Sequence, residues 1–382
     1  MKRLPCVLVF FVGAVVTVPV LAANTDPVRA TAYITVIAAS TPESPCNDTA
    51  TVAELPDGML MVVWHKYRAS SAGTSDFGLA DIAGKVSTDG GRSWKDERRL
   101  VEMTPGDVNI QAPAICVLPH GKLLMAALRA HARDSSSMCL FRSKDLGRTW
   151  QSAGELWSHS SGQWLQGGAP SIVRLADGRL VLPYHGGTGD QGGQHNSVSC
   201  YVSDDDGHTW RRPSAVIDLP MRGAMEASVA QLADGRLLMS LRTQLGTVML
   251  CESRDRVEMW SLPWSAGLTA PESCACLRRI GASNRLLLIW NGCEFYEPKH
   301  HHFGQRNPLT LAISDDAGRT WRRLGNLEND PNFTFTNINC TFTAKGDAVI
   351  TYFRASPPWA KTPDRSELCS ALLPKSFWAT LP

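Results

Sequence analysis

Short apolar runs broken by Gly-centred turns fill this chain, and their period is that of strands rather than helices. Residues 225–242, MEASVAQLADGRLLMSLR, show the unit most clearly. Two apolar runs flank Asp234-Gly235. An Asp-Gly pair in that setting is a tight hairpin signal, because Gly accepts the positive φ of the turn without a Cβ clash. The pattern recurs as LPDGML (55–60), LPHGKL (118–123) and LADGRL (175–180), with weaker copies at ASNRLL (282–287) and TAKGDA (343–348). Six hairpins spaced roughly 50 to 63 residues apart define a repeat.

A second repeat interleaves with the first. Ser-x-Asp-x-Gly-x-x-Trp occurs at 87–94, 143–150, 203–210 and 314–321, and a fifth copy, SRDRVEMW (253–260), carries Val257 in place of Gly. The Asp accepts hydrogen bonds from nearby backbone N–H groups, the Gly supplies the turn and the Trp packs inward, so the box builds a turn rather than a unique reaction centre. Each box follows one of the first five hairpins, which makes the unit hairpin, strand, box, strand. The sixth unit has a hairpin (340–353) but no box. A strand near Leu368–Leu373 and the strand at 30–38 complete it and close a ring. The expected fold is therefore all-β, a six-bladed β-propeller of four-stranded antiparallel blades with Asp-box turns.

Composition narrows the setting. Lys2 and Arg3 precede an apolar run from Val7 to Val20 and small residues at Ala22 and Ala23, the layout of an export signal. That predicts a signal peptide over 1–23, one propeller domain over 24–382, and a periplasmic or secreted location without a membrane span. A formal charge of +2 offers no basic footprint for nucleic acid. The ten cysteines beyond the signal have no metal-ligand spacing and read as structural or free thiols. No metal and no cofactor is expected, and the chain reads as a monomer.

In such a ring the strand ends around the channel make the ligand site, so repeat position predicts which residues reach it. Seven residues after each hairpin Gly, or Asn284 in the fifth copy, stand His65, Leu128, His185, Arg242, Asn291 and Phe353. Nine before stand Thr49, Ala112, Ala169, Glu226 and Asn337, and eight before the box Ser stand Ser135, His195, Leu245 and Arg306. The polar members, His65, His185, His195, Glu226, Arg242, Asn291 and Arg306, predict one polar site at a common depth. Trp64, Trp164, Trp290 and Tyr296 are candidates for stacking on sugar faces or for the core.

With these boxes and positions the chain resembles the sialidase superfamily of Asp-box (BNR-repeat) propellers over nearly all of residues 24–382. The resemblance implies a retaining exo-glycosidase for acidic sugars, with three arginines on the substrate carboxylate, a Glu activating a Tyr nucleophile, and a loop Asp as acid/base. Matched residue by residue, Glu226 and Arg242 resemble the family's Glu and second clamp Arg, Arg306 the third, and Asp76 the acid/base, with Asp81 a weaker candidate. Asp48 stands near where the first clamp Arg belongs, and Asn337 near where the Tyr belongs. Arg68 or Arg129 are alternative third cations, and Tyr67, Tyr184 or Tyr296 alternative phenols. Asp76 and Glu226 around a water would instead invert the sugar. The implied partner is a glycan or polysaccharide bearing an acidic sugar. A non-catalytic carbohydrate-binding propeller and a hydrolase of another uronic or sulfated sugar remain the alternatives.

Overall fold

The computed structural model describes residues 26–70, 76–157, 162–167, 172–188, 194–293, 306–356 and 366–381. The segment expected to be the signal peptide, residues 1–23, lies outside them, as do His300-His301-His302 and Tyr296. Two five-residue helices, α1 (Pro27–Thr31) and α2 (Lys375–Ala379), bracket a chain of strands.

After β1 (Tyr33–Ala38), the strands β2 (Asn47–Glu54), β3 (Leu60–Tyr67), β4 (Ala80–Ser87) and β5 (Lys95–Val101) form the first four-stranded antiparallel sheet. The strands β6 (Asn109–Val117), β7 (Leu123–Ala132), β8 (Ser135–Ser143) and β9 (Gln151–Trp157) repeat that meander. Next come β10 (Gln163–Gly167), β11 (Val173–Arg174), β12 (Leu180–Thr188) and β13 (Ser197–Ser203). Two further four-stranded sheets are β14 (Met225–Gln231), β15 (Leu237–Arg242), β16 (Thr247–Ser253) and β17 (Trp264–Thr269), then β18 (Cys276–Arg279), β19 (Leu286–Asn291), β20 (Leu309–Ser314) and β21 (Arg322–Glu328). Last are β22 (Thr334–Phe342), β23 (Ala348–Ala355) and β24 (Ser366–Leu373), whose free edge pairs with β1. The closing partner expected of the early strand is therefore β24, in the register Tyr33↔Leu372.

The all-β expectation holds. Separate four-stranded sheets hold for four of the sheets, whereas β6 to β13 form one eight-stranded sheet. The reason is local. The place beside β12 is filled in two pieces, β11 against Val181–Leu180 and β10 against Thr188–Tyr184, and Gln163 of β10 also touches Ser135 of β8 in parallel. Beyond β13, residues 211–217 make only isolated bridges, at Arg211 and Ile217, because Pro213 between them has no N–H to give.

Burial grades across each sheet. Middle strands such as β15 and β19 are buried along their whole length, and their stretches Leu237–Met239 and Leu286–Trp290 are continuously apolar. The outer strands β5 and β9 are mostly exposed and polar, which protects an open edge. Inner strands of successive sheets pack side by side, β2 touching both β6 and β22, with β14 against β12 and β18, and β18 against β22.

The boxes are turns, as their chemistry predicts. In the first, Ser87 Oγ accepts from Gly91 N at 2.8 Å and Asp89 Oδ1 from Ser93 N at 2.9 Å. The box tryptophans are wedges: Trp150, Trp210, Trp260 and Trp321 pack on apolar clusters shared with the preceding unit, and Trp94 on the cluster between β3 and β24. In the cluster between β19 and β23 that place is taken by Phe377 and Trp378 of α2, which follows β24 where a box would stand. The odd fourth box holds Val257 at φ +85°, costly for a β-branched residue. A Cβ on Gly147, Gly207 or Gly318 would run into Met61, Leu124 or Leu238, but the equivalent neighbour of Val257 is the shorter Val181, in the same cluster.

Candidate functional site

The site begins with a repeated fault in the inner strands. Thr49, Ala112, Glu226 and Asn337, four of the positions nine before the hairpin Gly, have φ of 41°, 50°, 41° and 52°. Each lies at a register shift, between Asp48 and Ala50, Gln111 and Ala114, Met225 and Ser228, Thr336 and Asn339. A bulge with a left-handed residue re-aims a side chain out of the pleat at a cost in backbone strain, and such strain collects at ligand sites. Ala169 lies outside the described residues.

The positions seven after the hairpin Gly brace these bulges from the preceding sheet. His65 Nδ1 accepts from Ala112 N and His185 Nδ1 from Glu226 N, both at 3.3 Å. Asn291 Nδ2 donates to the Phe335 carbonyl at 3.0 Å. Because each imidazole accepts at Nδ1, its neutral form carries the proton on Nε2. Burial lowers both histidines to about 4, against the opposing charges of Asp76 on His65 and Glu226 on His185.

A fourth residue of this set, Arg242, anchors a buried charge network. Its Nη1 donates to Glu226 Oε1 at 2.8 Å and its Nη2 to Glu272 Oε1 at 3.1 Å. Glu272, 1 % exposed, also pairs with Arg222 and accepts from Gln244 Nε2 at 2.7 Å. Arg306 donates to Thr336 Oγ1 at 2.9 Å and to the Glu272 carbonyl at 3.2 Å. No carboxylate among the described residues forms an ion pair with it. Burial lowers the Arg306 guanidinium to about 10, helped by the neighbouring Arg242. For Glu226, burial acts to raise the carboxyl, but Arg242 and His185 outweigh it and hold it at about 2. Glu226 Oε2, His65 Nε2 and the Nε atoms of Arg222, Arg242 and Arg306 are buried without a partner.

The two departures from the sialidase pattern are bonded to each other. Asn337 Nδ2 donates to Asp48 Oδ1 at 2.6 Å, joining β22 to β2. Burial raises the Asp48 carboxyl, against the bonds from Asn337 and Thr49 and the charge of Arg306. Burial also pushes Tyr67 well above the usual phenol range, with the charges of Asp76 and Asp48 adding to it. Asp76 is exposed, and its carbonyl accepts from Asn109 Nδ2 at 2.8 Å. The structure thus brings Glu226, Arg242, Arg306, His185, Asp48, Asp76, His65 and Tyr67 into one charge-coupled neighbourhood.

Other expectations fall elsewhere. His195 is exposed, its ring nitrogens taken by Asp218 Oδ1 at 2.6 Å and the Met221 carbonyl at 2.8 Å. Arg68 is bidentate on Asp81, and Arg129 donates from Nε and Nη2 to one oxygen of Asp107, so neither stands in for the missing cation. Tyr184 packs with Trp157 and Tyr201. Trp64, Trp164 and Trp290 are core residues. Each of the ten cysteines is a free thiol, nine of them buried. Arg222 and Glu272 have no place in the sequence reading, since neither occupies a repeated position. A Glu immediately before the buried run SCACL was the only signal for Glu272.

All-β sheets arranged around a channel, with Asp-box turns and a buried Glu–Arg site, define the class of sialidase-like propellers. A family model described as BNR repeat-like domain matches residues 38–347, and the chain belongs to that family. Among solved structures it is similar to the NanB sialidase of Streptococcus pneumoniae, with TM-score 0.69 and 13 % identity over 90 % of this chain and 71 % of that one. An α-L-arabinanase of Penicillium chrysogenum superposes with TM-score 0.66 and 14 % identity, over 90 % and 98 %. A protein of unknown function from Dyadobacter fermentans gives 0.69 and 16 %, over 89 % and 98 %. At these identities the likeness is one of fold, that of sialidase-like glycoside hydrolases.

Proposed function

We propose that this protein is an exported glycoside hydrolase that removes a terminal acidic sugar from a glycan or polysaccharide. It works as a monomeric six-bladed propeller, the eight-stranded sheet counting as two blades. The observation that carries the reading is Arg306, a guanidinium only 9 % exposed whose partners are neutral oxygens, beside Glu226 and Arg242. A buried guanidinium bonded only to neutral oxygens is costly, and a carboxylate or sulfate on the substrate lowers that cost through a planar two-point contact.

The chain's own residues then divide the work. Glu226 stays ionised, with Oε1 held by Arg242 and Oε2 open, which suits a base. Asp48, whose carboxyl burial pushes up, stands bonded to Asn337 where the family pattern has an arginine. Asp76 at the exposed edge is the proton donor to the leaving group. Asn337 cannot form a glycosyl–enzyme bond, and Tyr67 resists ionisation, so water is the nucleophile. Its oxygen bonds to the anomeric carbon as the glycosidic C–O bond breaks. One water proton passes to Glu226, and the leaving oxygen takes the proton of Asp76. The sugar is released with inverted configuration.

The test is release of a chromogenic aglycone from aryl α-sialosides and a panel of aryl uronides, with Glu226→Gln as the control. Turnover that this substitution abolishes supports the reading, and turnover that survives it removes Glu226 from the reaction. The Asp48–Asn337 bond favours one second reading, a propeller that binds acidic glycans without cutting them. Saturable glycan binding with no product from any of the panel would select it.

A further inference from the structure

The other end of the inner strands carries a second set of cations. The backbone bonds Leu55 N to Met59 O, Leu118 N to Lys122 O, Leu175 N to Arg179 O, Leu232 N to Arg236 O, Ile280 N to Arg285 O and Thr343 N to Asp347 O mark the start of each hairpin. One residue earlier stand Glu54, Val117, Arg174, Gln231, Arg279 and Phe342. A cavity of about 370 Å³ opens between the inner strands here and is lined by residues of β2, β6, β11, β14, β18 and β22. Its lining includes Arg174, Arg278, Arg279 and Gln231, and no aspartate or glutamate among the described residues.

Two of these guanidiniums, Arg174 and Arg279, carry charge that the described residues do not pair. Neither Arg174 nor Arg279 forms an ion pair or side-chain hydrogen bond among the described residues. Arg278 is tied down, reaching across to the Cys340 carbonyl at 2.6 Å, Ser228 Oγ at 3.1 Å and the Leu277 carbonyl at 2.8 Å. The nearby acids are engaged elsewhere: Asp177 holds Arg256, Asp234 holds Arg236, and Glu54 Oε2 accepts from Ala344 N at 2.5 Å. Gln231 Oε1 is occupied by Ala176 N at 2.8 Å, so the carboxamide offers its NH₂. What the cavity presents is guanidinium and amide N–H, a set matched to an oxyanion.

We propose that the hairpin end of the channel is a second anion site, which takes a small tetrahedral oxyanion of the phosphate or sulfate class, free or as the terminal group of a larger ligand. It is separate from the Glu226 site: the strand from Glu226 to Gln231 sets the two ends ~17 Å apart. The site binds its anion whether or not the protein hydrolyses a glycan.

The experiment is calorimetric titration of the full chain with inorganic phosphate against chloride at matched ionic strength, beside Arg174→Gln/Arg279→Gln, Arg279→Lys and Arg306→Gln. Expected is saturable phosphate binding that the double variant weakens roughly tenfold or more. Arg279→Lys should retain most of it, and Arg306→Gln should leave it in place. A phosphorylated sugar tested beside free phosphate separates the two sources by which binds more tightly. Binding that persists in the double variant, that disappears only in Arg306→Gln, or that is absent from the wild type up to millimolar phosphate overturns the proposal. If the double variant does not fold, Arg279→Gln alone is the deciding comparison, with the same weakening expected and its absence equally decisive.

Discussion

The two ends of the inner strands both gather arginines into little space, and they treat them in opposite ways. At the bulged end Arg222 and Arg242 share Glu272, and Arg242 also holds Glu226, so most of the positive charge is answered inside the protein. At the hairpin end Arg174 and Arg279 face a cavity that no acid among the described residues lines. The bulged end is strained, buried and fixed. The hairpin end is regular, more open, and its cations cost the fold little because water reaches them. Precision and tolerance are thus divided between the two mouths of one channel.

That contrast breaks most sharply at Glu226. Replacing it by Gln should lower kcat/KM about 10³-fold, within the range of a lost general base, while the circular dichroism stays native. Next comes Glu272→Ala, which leaves Arg222 and Arg242 with one carboxylate fewer in a buried place. Breaking such a pair costs about 3–5 kcal/mol, so chemical denaturation should show a large loss. Equal stability would mean that water enters the network.

The histidine braces predict a pH dependence. The unfolded chain protonates His65 and His185 near their ordinary 6.5, but the folded protein refuses the proton until about 4. Stability is therefore unaffected above pH 6.5 and drains away as pH falls from there to 4, by up to ~3 kcal/mol for each histidine. His65→Gln should remove about half of that slope. An unchanged slope would show that the loss comes from other groups. The smallest effect belongs to Arg279→Gln, which in chloride buffer should move stability by less than ~0.5 kcal/mol, as surface substitutions do. A loss comparable with that of Glu272→Ala would erase the distinction between the two mouths.

How much of this the sequence disclosed depends on how local the chemistry is. Hairpins and boxes are set by neighbours within eight residues, so Asp234-Gly235 or Ser87 to Trp94 declares itself. The pairing of β1 with β24 was legible because a unit with a missing strand needs one. Glu226, Arg242 and Arg306 followed from repeat position. Hidden were features that need distant partners: the Asp48–Asn337 bond spans 289 residues, and Glu272 finds Arg222 and Arg242 across 50 and 30. Two losses read separately in the sequence turn out to be one joint replacement. The split strand beside β12 was also invisible, since no turn residue announces it.

The wedge of α2 has a bearing on how the ring comes to be closed. Four seams receive their tryptophan from a box made within the adjoining units, so they can pack as the chain lengthens, whereas the Trp94 seam waits for β24. The remaining seam joins Val28 of α1, the strands β18 to β24, and Phe377 with Trp378. It cannot be sewn until residue 378 has been made. Through most of its synthesis the chain is an open arc with two unsatisfied faces, and a short helix late in the chain decides when it becomes a circle.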